Sequence, residues 1–527
     1  MRIQKLLAPN NNLKSLYIKE LDELRREKEI ITEANGNIRF PISLKKGDII
    51  SFGTYVNALV LDKWETLTKA KNIAIVLRSS GRIEAQVYNS RGAYDWDTDV
   101  RASGKEPVDV VVSEAKKEGI YEYTISLANV NCTGVVYPII EAQEPCEFIG
   151  GEYICDDVEK LNPIKPCYVI NYNRDAKSTR ENIRAITTKA GYKGELIIVC
   201  DMTAELGDNV FIDNTHKHSN IIQMATSLEP GNSLNEAFDY IKNKADCDYT
   251  HIIVIDTKTI LDDNALARVF TFISLLDDIR DNLIIQGDIL SDSRHLESSG
   301  YLIKDDKPRR RYKGFDLCKS SDFVTAISSD EIDFFSFGLL CIPVKCNMYF
   351  DPNIRHYVEF EYFLNNRRLE IANINGFYGY VRSTLDEGII WTTYYKMRDY
   401  LIAIINSEYE MDRQRFSDFM DSKIKSHYKK GGLELAFAIM EAANDFLNGP
   451  EGLYDEYCLE EIRERLIELS ADFNKRLTKG SNKIKDRIEL QKQYNKLYLK
   501  IDHDYDMIID SWTKSKRKVD DEREQQQ

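Results

Sequence analysis

Two glutamates in the second half of the chain, Glu359 and Glu361, have a residue type and spacing suited to acid–base chemistry. An ionised carboxylate can act as a general base that removes the proton of an attacking hydroxyl group. In an extended segment, residues two positions apart project from the same face, whereas a helix separates them by about 200°. The alternative is a solvated helix start, where carboxylates interact favourably with the helix dipole.

A second group of polar and charged side chains stands at or just after the ends of three apolar segments. The group comprises Asn173, Arg174, Asp201, Asp256 and Lys258. In open parallel sheets the ligand binds beyond the carboxyl ends of the strands. We therefore expect these side chains to converge in one crevice, although each could instead be a turn or capping residue.

The segments that would position these side chains alternate between strand and helix patterns. An apolar run that ends in a polar loop lies at residues 168–174, and further apolar runs lie at residues 195–201, 220–224 and 251–256. Helical stretches lie at residues 178–190 and 233–245. This alternation predicts a parallel sheet with right-handed crossovers. Because the runs are apolar throughout, the strands are expected to be buried on both faces.

Changes of pattern along the chain predict three domains and a tail. We place them at residues 1–155, 163–400, 401–512 and 513–527. The first has short apolar segments at the spacing of an antiparallel β-sandwich. The third is helical, with a strong helix at 433–447. The tail is charged and almost free of apolar residues, so we expect it to be disordered.

The composition is that of an acidic globular protein. The 527 residues carry a formal net charge of −15, which disfavours a nucleic-acid polymer as a partner. The N-terminus lacks an apolar leader, and no apolar run reaches the roughly 20 residues of a membrane-spanning helix. We expect a cytoplasmic protein. Peripheral contact with the inner membrane face through the basic residues 514–518 is an alternative to a solvated tail, and a homo-oligomer stays open.

Four stretches, in order, resemble motifs of glycosyltransferase family 2. They are SFGTYVNA (residues 51–58) with Trp64, INYNR (170–174), DFFSFGLLCIP (333–343), and YVEFEY (357–362) followed by YYKMRD (394–399). Over residues 45–410 the chain is most similar to bacterial polymerising galactofuranosyltransferases. The resemblance implies an α/β GT-A domain with an N-terminal β-sandwich domain and a C-terminal α-helical domain.

The resemblance also implies a role for each candidate residue. Glu359 takes the position of the catalytic base, Glu361 that of the second acidic residue, and Phe337 that of an aromatic acceptor-site residue. The residues implied in nucleotide-sugar binding are Asn173, Arg174, Asp201, Asp256 and Lys258. The implied donor is a nucleotide-diphosphate sugar, UDP-linked, with galactofuranose as the candidate sugar. The implied acceptor is a polysaccharide or lipid-linked glycan of the cell wall or capsule.

The metal-binding motif of the family is degenerate in this chain. The acidic triplet reads Asp256-Thr257-Lys258, and the position of a later histidine ligand falls on Gly379. Mn²⁺ or Mg²⁺ requires several oxygen ligands, and an ammonium group is not a ligand. Asp256 is therefore a metal ligand only if a divalent cation is bound. Two outcomes stay open: Lys258 replaces the metal as a point charge on the diphosphate, or the site is inactive.

These observations lead to two hypotheses of different classes. The first is an inverting, family 2-like hexosyltransferase that extends a cell-surface polysaccharide. The alternative is a non-catalytic glycan-binding or scaffold protein that kept the glycosyltransferase fold, since a fold does not determine a function.

Overall fold

The computed structural model describes most of the chain. The described residues are 1–8, 40–96, 98–128, 130, 133–172, 176–189, 195–201, 221–226, 230–243, 248–256, 258–278, 282–291, 294–304, 307–329, 331–346, 348–351, 354, 356–365, 370–381, 389–405, 412–450, 456–479 and 483–526. All statements below refer to these residues.

The N-terminal region forms two antiparallel sheets and one short helix. In chain order its elements are β1 (Arg2–Lys5), β2 (Ile42–Leu44), β3 (Ile49–Ser51), α1 (Leu61–Leu67), β4 (Ile73–Ser79), β5 (Ile83–Asp95), β6 (Val100–Val108), β7 (Val111–Lys117), β8 (Ile120–Ser126), β9 (Val135–Ala142) and β10 (Cys146–Cys155). One sheet has the order β1-β10-β4-β8-β7, with β2 also paired to β10, and the other has the order β3-β9-β5-β6. The two sheets contribute to one hydrophobic core, where Phe52 contacts Phe148 with ring centroids 5.7 Å apart.

The middle of the chain forms a mixed sheet with helices. Its elements are β11 (Pro166–Tyr172), α2 (Ala176–Arg184) continued by a π-helical turn (Ala185–Lys189), β12 (Glu195–Asp201), β13 (Ile221–Thr226), α3 (Pro230–Asn243), β14 (His251–Asp256), β15 (Thr259–Leu261), α4 (Ala265–Leu275), β16 (Ile284–Ser291), β17 (His295–Ser298), β18 (Tyr301–Lys304), β19 (Lys307–Arg310), α5 (Ser320–Ser328), β20 (Leu339–Pro343), α6 (Val358–Asn365) and β21 (Ile371–Val381). The sheet order is β13-β12-β11-β14-β20-β16-β21-β15, and β17 pairs with β16.

The four strands predicted to be parallel are parallel, but the sheet does not continue so. β13, β12, β11 and β14 run in one direction, and β20 then pairs antiparallel to β14. β18 and β19 form a separate hairpin. The prediction of a parallel sheet is therefore wrong beyond β14, where β20 is antiparallel. The apolar pattern of a strand shows that it is buried but not which distant strand pairs with it.

The apolar runs of β11, β12 and β14 are explained by two cores, one on each face of the sheet. The residues that face the first core are Tyr168, Ile170, Leu196, Ile198, Ile253 and Ile255. The residues that face the second core are Cys167, Val169, Ile197, Val199, Ile252 and Val254. The first core is continuous with that of the N-terminal sheets, and the second with that of the C-terminal helices. Burial of each such side chain stabilises the folded state by roughly 1.5–3 kcal/mol. The strands therefore hold the residues at their ends in fixed positions.

Five helices complete the described chain. They are α7 (Ile389–Ile405), α8 (Arg413–Gly431), α9 (Leu433–Phe446), α10 (Glu456–Lys479) and α11 (Lys483–Gln526). The expected domain boundary between residues 400 and 401 falls inside α7, which is one continuous helix. Tyr394 and Leu401 of α7 both belong to the second core, and α7 packs against α9. The residues on both sides of the predicted boundary therefore share one core. None of the helices in the described ranges is long and apolar enough to cross a bilayer.

The expected disordered tail is helical in the structure. α11 continues through residue 513 and ends at Gln526. Trp512 anchors the helix just before this tail, because its ring stacks on Phe446 at 5.4 Å and its Nε1–H donates to the Phe446 carbonyl at 3.0 Å. The lysines, arginines, glutamates and glutamines that follow are strong helix formers, and this intrinsic preference favours continuation of the helix.

Candidate functional site

The carboxyl ends of β11, β12 and β14 lie side by side at one edge of the sheet. Asn171 of β11 pairs with Asp256, the last residue of β14. Asp201 is the last residue of the neighbouring β12. The backbone thus brings both aspartate positions to the edge where parallel sheets bind ligands. Asn173 and Arg174 lie outside the described residues.

Asp256 is held in place by the chain on both sides of it. Its Oδ1 accepts a hydrogen bond from the backbone N–H of Lys258 at 3.0 Å, and its own N–H donates to the Gly338 carbonyl at 3.1 Å. Burial raises the pKa of Asp256, whereas the N–H and the charge of Lys258 lower it. The side chains of Asp256 and Lys258 are both half-buried. The carboxylate of Asp256 is therefore held at this edge by the backbone, within range of the positive charge of Lys258.

Glu359 lies in the first turn of α6 and faces the same edge. Burial raises the pKa of Glu359, and the nearby charge of Asp256 raises it further. The backbone N–H groups of Glu359 itself and of Phe337 donate to its carboxylate, and these bonds and the charge of Arg310 lower the pKa. Glu359 is half-buried. It is thus an oriented carboxylate with raised proton affinity that solvent can still reach.

Glu361 does not share this position. The segment is helical from Val358, so its side chain leaves α6 about 200° around the axis from that of Glu359. Glu361 is only 1% exposed, and its N–H donates to the Tyr357 carbonyl at 2.9 Å. The extended arrangement that would project both carboxylates together is not adopted, because the two residues belong to the start of a helix.

Three residues near Glu359 were missed by the sequence analysis. Arg310, at the end of β19, hydrogen-bonds the Tyr301 hydroxyl, forms an ion pair with Glu297 and is attracted by the charge of Glu359. Burial raises the pKa of Tyr301 to about 12, and Glu359 adds to this rise. Tyr357 has a positive φ of 58°, which is uncommon for a non-glycine residue. The only sequence signal for Arg310 was the basic run at 307–311, which by itself indicates no particular chemistry.

Phe337 contacts Glu359 through its backbone, and its ring packs against neighbouring aromatic residues. Its N–H donates to Glu359, and its half-buried ring meets that of Phe350 edge-to-face at 5.1 Å. The adjacent Gly338 has no room for a side chain, because a Cβ there would lie 2.7 Å from Cγ1 of Ile289. A second aromatic residue at position 338 would require Ile289 to move.

The described residues do not fit a resident divalent cation. Within them there is no group of three histidine, cysteine, aspartate or glutamate side chains that could hold a metal ion. Gly379, at the position of the family's histidine ligand, lies within β21. A Cβ there would be 2.4 Å from Cγ2 of Thr259 and 2.8 Å from the Ile260 carbonyl oxygen. This position offers neither a ligand nor space for one.

Comparisons with known proteins gave structural matches only. No family model and no curated protein matches the chain. Residues 1–349 of the S. aureus glycosyltransferase TarS match with 13% identity and a TM-score of 0.31, covering 60% of this chain and 92% of that one. The same fragment in complex with UDP-GlcNAc has 13% identity and a TM-score of 0.32, covering 60% and 93%.

A mannosyltransferase is also similar. PcManGT from Pyrobaculum calidifontis, in complex with GDP-Man and Mn²⁺, matches with 9% identity and a TM-score of 0.31, covering 66% of this chain and 88% of that one. The structural neighbours are thus glycosyltransferases. Identities and TM-scores this low assign no activity to this chain.

Proposed function

We propose that this chain is a glycosyltransferase of the GT-A type, which transfers a sugar from a nucleotide-diphosphate donor to an acceptor hydroxyl group. The observation that carries the proposal is the half-buried carboxylate of Glu359, fixed by the Phe337 N–H and close enough to Asp256 to sense its charge. Asp256 ends a parallel strand and Glu359 begins a helix, so the two come from distant parts of the chain. Their meeting at a ligand-binding edge supports a reaction centre.

Glu359 is the general base in this proposal. An inverting transfer requires a group that takes the acceptor proton as the hydroxyl oxygen attacks the anomeric carbon. Burial gives this carboxylate a raised pKa, and a base whose pKa approaches the working pH is more effective. Two backbone N–H donors hold it in one orientation, so little reorganisation is needed before the proton moves.

The donor is bound at the sheet edge. Asn173, Arg174 and Asp201 hold the nucleotide, and Asp256 and Lys258 face the ribose and the diphosphate. Lys258 supplies positive charge for the departing nucleoside diphosphate. Because one ammonium carries half the charge of a divalent ion, an arginine such as Arg174 is needed to complete the neutralisation. The donor is UDP-linked, with galactofuranose as the leading sugar, and the acceptor is a cell-wall or capsular glycan.

The second candidate is a glycan-binding or scaffold protein without turnover. The observation that favours it is the absence of a metal cluster among the described residues, together with the filled space at Gly379. Loss of a catalytic cation would leave a fold able to bind sugars but unable to stabilise the leaving group.

Nucleotide release separates the two candidates. The full chain is assayed for UDP or GDP release from a panel of UDP- and GDP-sugars, with glycan acceptors, in EDTA and in Mn²⁺. Acceptor-dependent release that is lost in Glu359→Gln supports the transferase. Glycan binding by calorimetry with no release from any donor, with or without Mn²⁺, supports the scaffold and overturns the transferase.

A further inference from the structure

Gln286 of β16 is a wholly buried glutamine next to the strand that leads into the site. The backbone pairing of β16 with β20 joins Ile285 to Cys341 and Gln286 to Leu340. The side chain of Gln286 also contacts the stretch of chain at residues 336–339, which we call the bridging segment. A buried amide is cut off from water, so its position is set by the hydrogen bonds that it makes within the protein.

The amide of Gln286 holds both ends of the bridging segment. Its Oε1 accepts the backbone N–H of Ser336 at 2.7 Å, and its Nε2 donates to the Leu339 carbonyl at 3.3 Å. The same Nε2 donates to the Gly287 carbonyl at 2.7 Å. An amide nitrogen carries two N–H donors, so both carbonyls are satisfied together and the amide is held in one orientation.

Two further contacts restrict the bridging segment. The hydroxyl groups of Ser336 and Ser298 lie 2.8 Å apart, and both side chains are buried. At the other end β16 and β20 approach closely, because a Cβ at Gly287 would lie 2.5 Å from Cγ of Leu339. The segment is thus fixed by its backbone, by a hydroxyl contact and by packing, and the amide of Gln286 contacts both of its ends.

The middle of the bridging segment contacts both acidic residues of the proposed reaction centre. The Phe337 N–H donates to the carboxylate of Glu359, and the Gly338 carbonyl accepts the N–H of Asp256 at 3.1 Å. Both bonds are made by backbone atoms, whose positions depend on how the ends of the segment are held. Gln286 therefore acts on the segment, and the segment acts on the carboxylate.

We propose that Gln286 is a positioning residue, whose amide holds the bridging segment so that the Phe337 N–H orients the Glu359 carboxylate for sugar transfer. The role of the oriented carboxylate rests on the proposed function, whereas the hydrogen bonds of Gln286 do not. A displacement of about 1 Å near a reacting group can reduce a rate about 10²-fold. A side chain that acts only through the backbone can therefore control the reaction.

Gln286→Met tests the hold on the bridging segment without an assay of activity. Methionine has nearly the length of glutamine but makes none of these hydrogen bonds, so the N–H groups of the segment should exchange with solvent about tenfold faster. Hydrogen exchange, read by mass spectrometry on a peptide that contains the segment, measures this in the full chain. Gln4→Met is the matched control, since Gln4 is also buried and its amide donates to the Val56 and Asn57 carbonyls.

The dependence of kcat/KM on pH tests whether the hold extends to Glu359, and nucleotide release with the donor and acceptor found above provides the rates. The Phe337 N–H lowers the pKa of Glu359, so Gln286→Met should move the acidic limb to higher pH and reduce kcat about tenfold or more. Gln4→Met should leave the limb in place. Neither variant changes the other titratable groups that interact with Glu359, which are Asp256, Tyr301, Arg310 and Tyr357.

Ser298→Ala provides a milder test, which decides the matter if thermal unfolding shows that Gln286→Met does not fold. It removes only the hydroxyl contact with Ser336, so exchange of the bridging segment and the acidic limb should change in the same directions by smaller amounts. Ser79→Ala is the control, since it removes a buried hydroxyl that donates to the Gly81 carbonyl in the N-terminal region.

Three results would overturn the positioning role. They are unchanged exchange of the bridging segment in both Gln286→Met and Ser298→Ala, equal effects of Gln286→Met and Gln4→Met, and an acidic limb that does not move although exchange rises. Failure of the proposed function looks different: the parent protein releases nucleotide from no donor. The exchange experiment would then still decide whether Gln286 holds the segment.

Discussion

The carboxylate of Glu359 accepts a hydrogen bond from the backbone N–H of Phe337, just before β20. The next residue, Gly338, accepts the N–H of Asp256 through its carbonyl oxygen at 3.1 Å. The Phe337-Gly338 dipeptide therefore connects the proposed base to the donor edge of the sheet. A shift of this dipeptide would move Asp256 and Glu359 together.

Glu359→Gln tests the proposed base directly. The amide keeps the shape of the side chain but cannot take a proton, so we expect kcat to fall by about 10²- to 10⁴-fold. UDP binding by calorimetry should stay within about twofold of the parent protein, because the donor contacts are elsewhere. Glu331→Gln, at an exposed loop position, serves as the control and should retain full turnover. An unchanged kcat in Glu359→Gln would exclude the base role.

The dependence of kcat/KM on pH should reflect the raised pKa of Glu359. Only the ionised carboxylate can act as a base, so kcat/KM should fall as the pH drops through a pKa above the ordinary glutamate value of 4.5. The charge of Arg310 lowers this pKa, so Arg310→Gln should move the acidic limb of the profile to higher pH. A limb that stays at the same pH in this variant would show that Arg310 does not act on Glu359.

Glu359→Gln should also raise the thermal stability of the protein at pH 7. A carboxyl group whose pKa is raised by folding favours the folded state below its unfolded pKa, and this contribution is lost as the pH rises through the folded pKa. At pH 7 the ionised Glu359 therefore weakens the fold, and Glu359→Gln should have the higher Tm. Melting curves at pH 7 and pH 4 check this, since the difference should shrink at pH 4. A lower Tm at pH 7 would contradict the assignment.

Lys258→Ala tests whether a lysine replaces the metal. We expect turnover to persist in EDTA and to fall by about 10²-fold in Lys258→Ala, because the diphosphate loses a charged partner in a partly desolvated site. Lys46→Ala removes the same charge from an exposed position in the N-terminal region and should leave turnover unchanged. Turnover that is abolished by EDTA and restored by Mn²⁺ would show that a metal is used instead.

Gly379→Ala tests the packing that leaves no place for a ligand on β21. A Cβ at 2.4 Å from Thr259 and 2.8 Å from the Ile260 carbonyl forces the strands apart, so we expect a loss of about 1–3 kcal/mol in unfolding free energy. Gly104→Ala on β6 is the matched control, since a Cβ there meets nothing within 4 Å. Denaturant titration of both variants gives the comparison, and equal losses would mean that the space at Gly379 is not tight.

Local elements of the fold follow from patterns in the amino-acid sequence. The apolar runs of β11, β12 and β14 required burial on both faces, and their ends placed Asp201 and Asp256 at one edge. The helix predicted at 433–447 is α9, Leu433–Phe446, and the chain leaves it at Gly449, whose φ is 82°. These features follow from periodicity and from local backbone preferences, which act over a few residues.

Contacts between distant groups depend on the three-dimensional fold. The pairing of β20 with β14, the contact of Glu359 with the Phe337 N–H and the approach of Arg310 to Glu359 all join residues far apart in the chain. The sequence likewise did not decide between a helical and an extended segment at Val358. Because the segment is helical, Glu361 projects away from Glu359. The physical reason is that pairing, burial and charge interactions depend on the folded distance between groups, whereas a sequence pattern reports only their spacing along the chain.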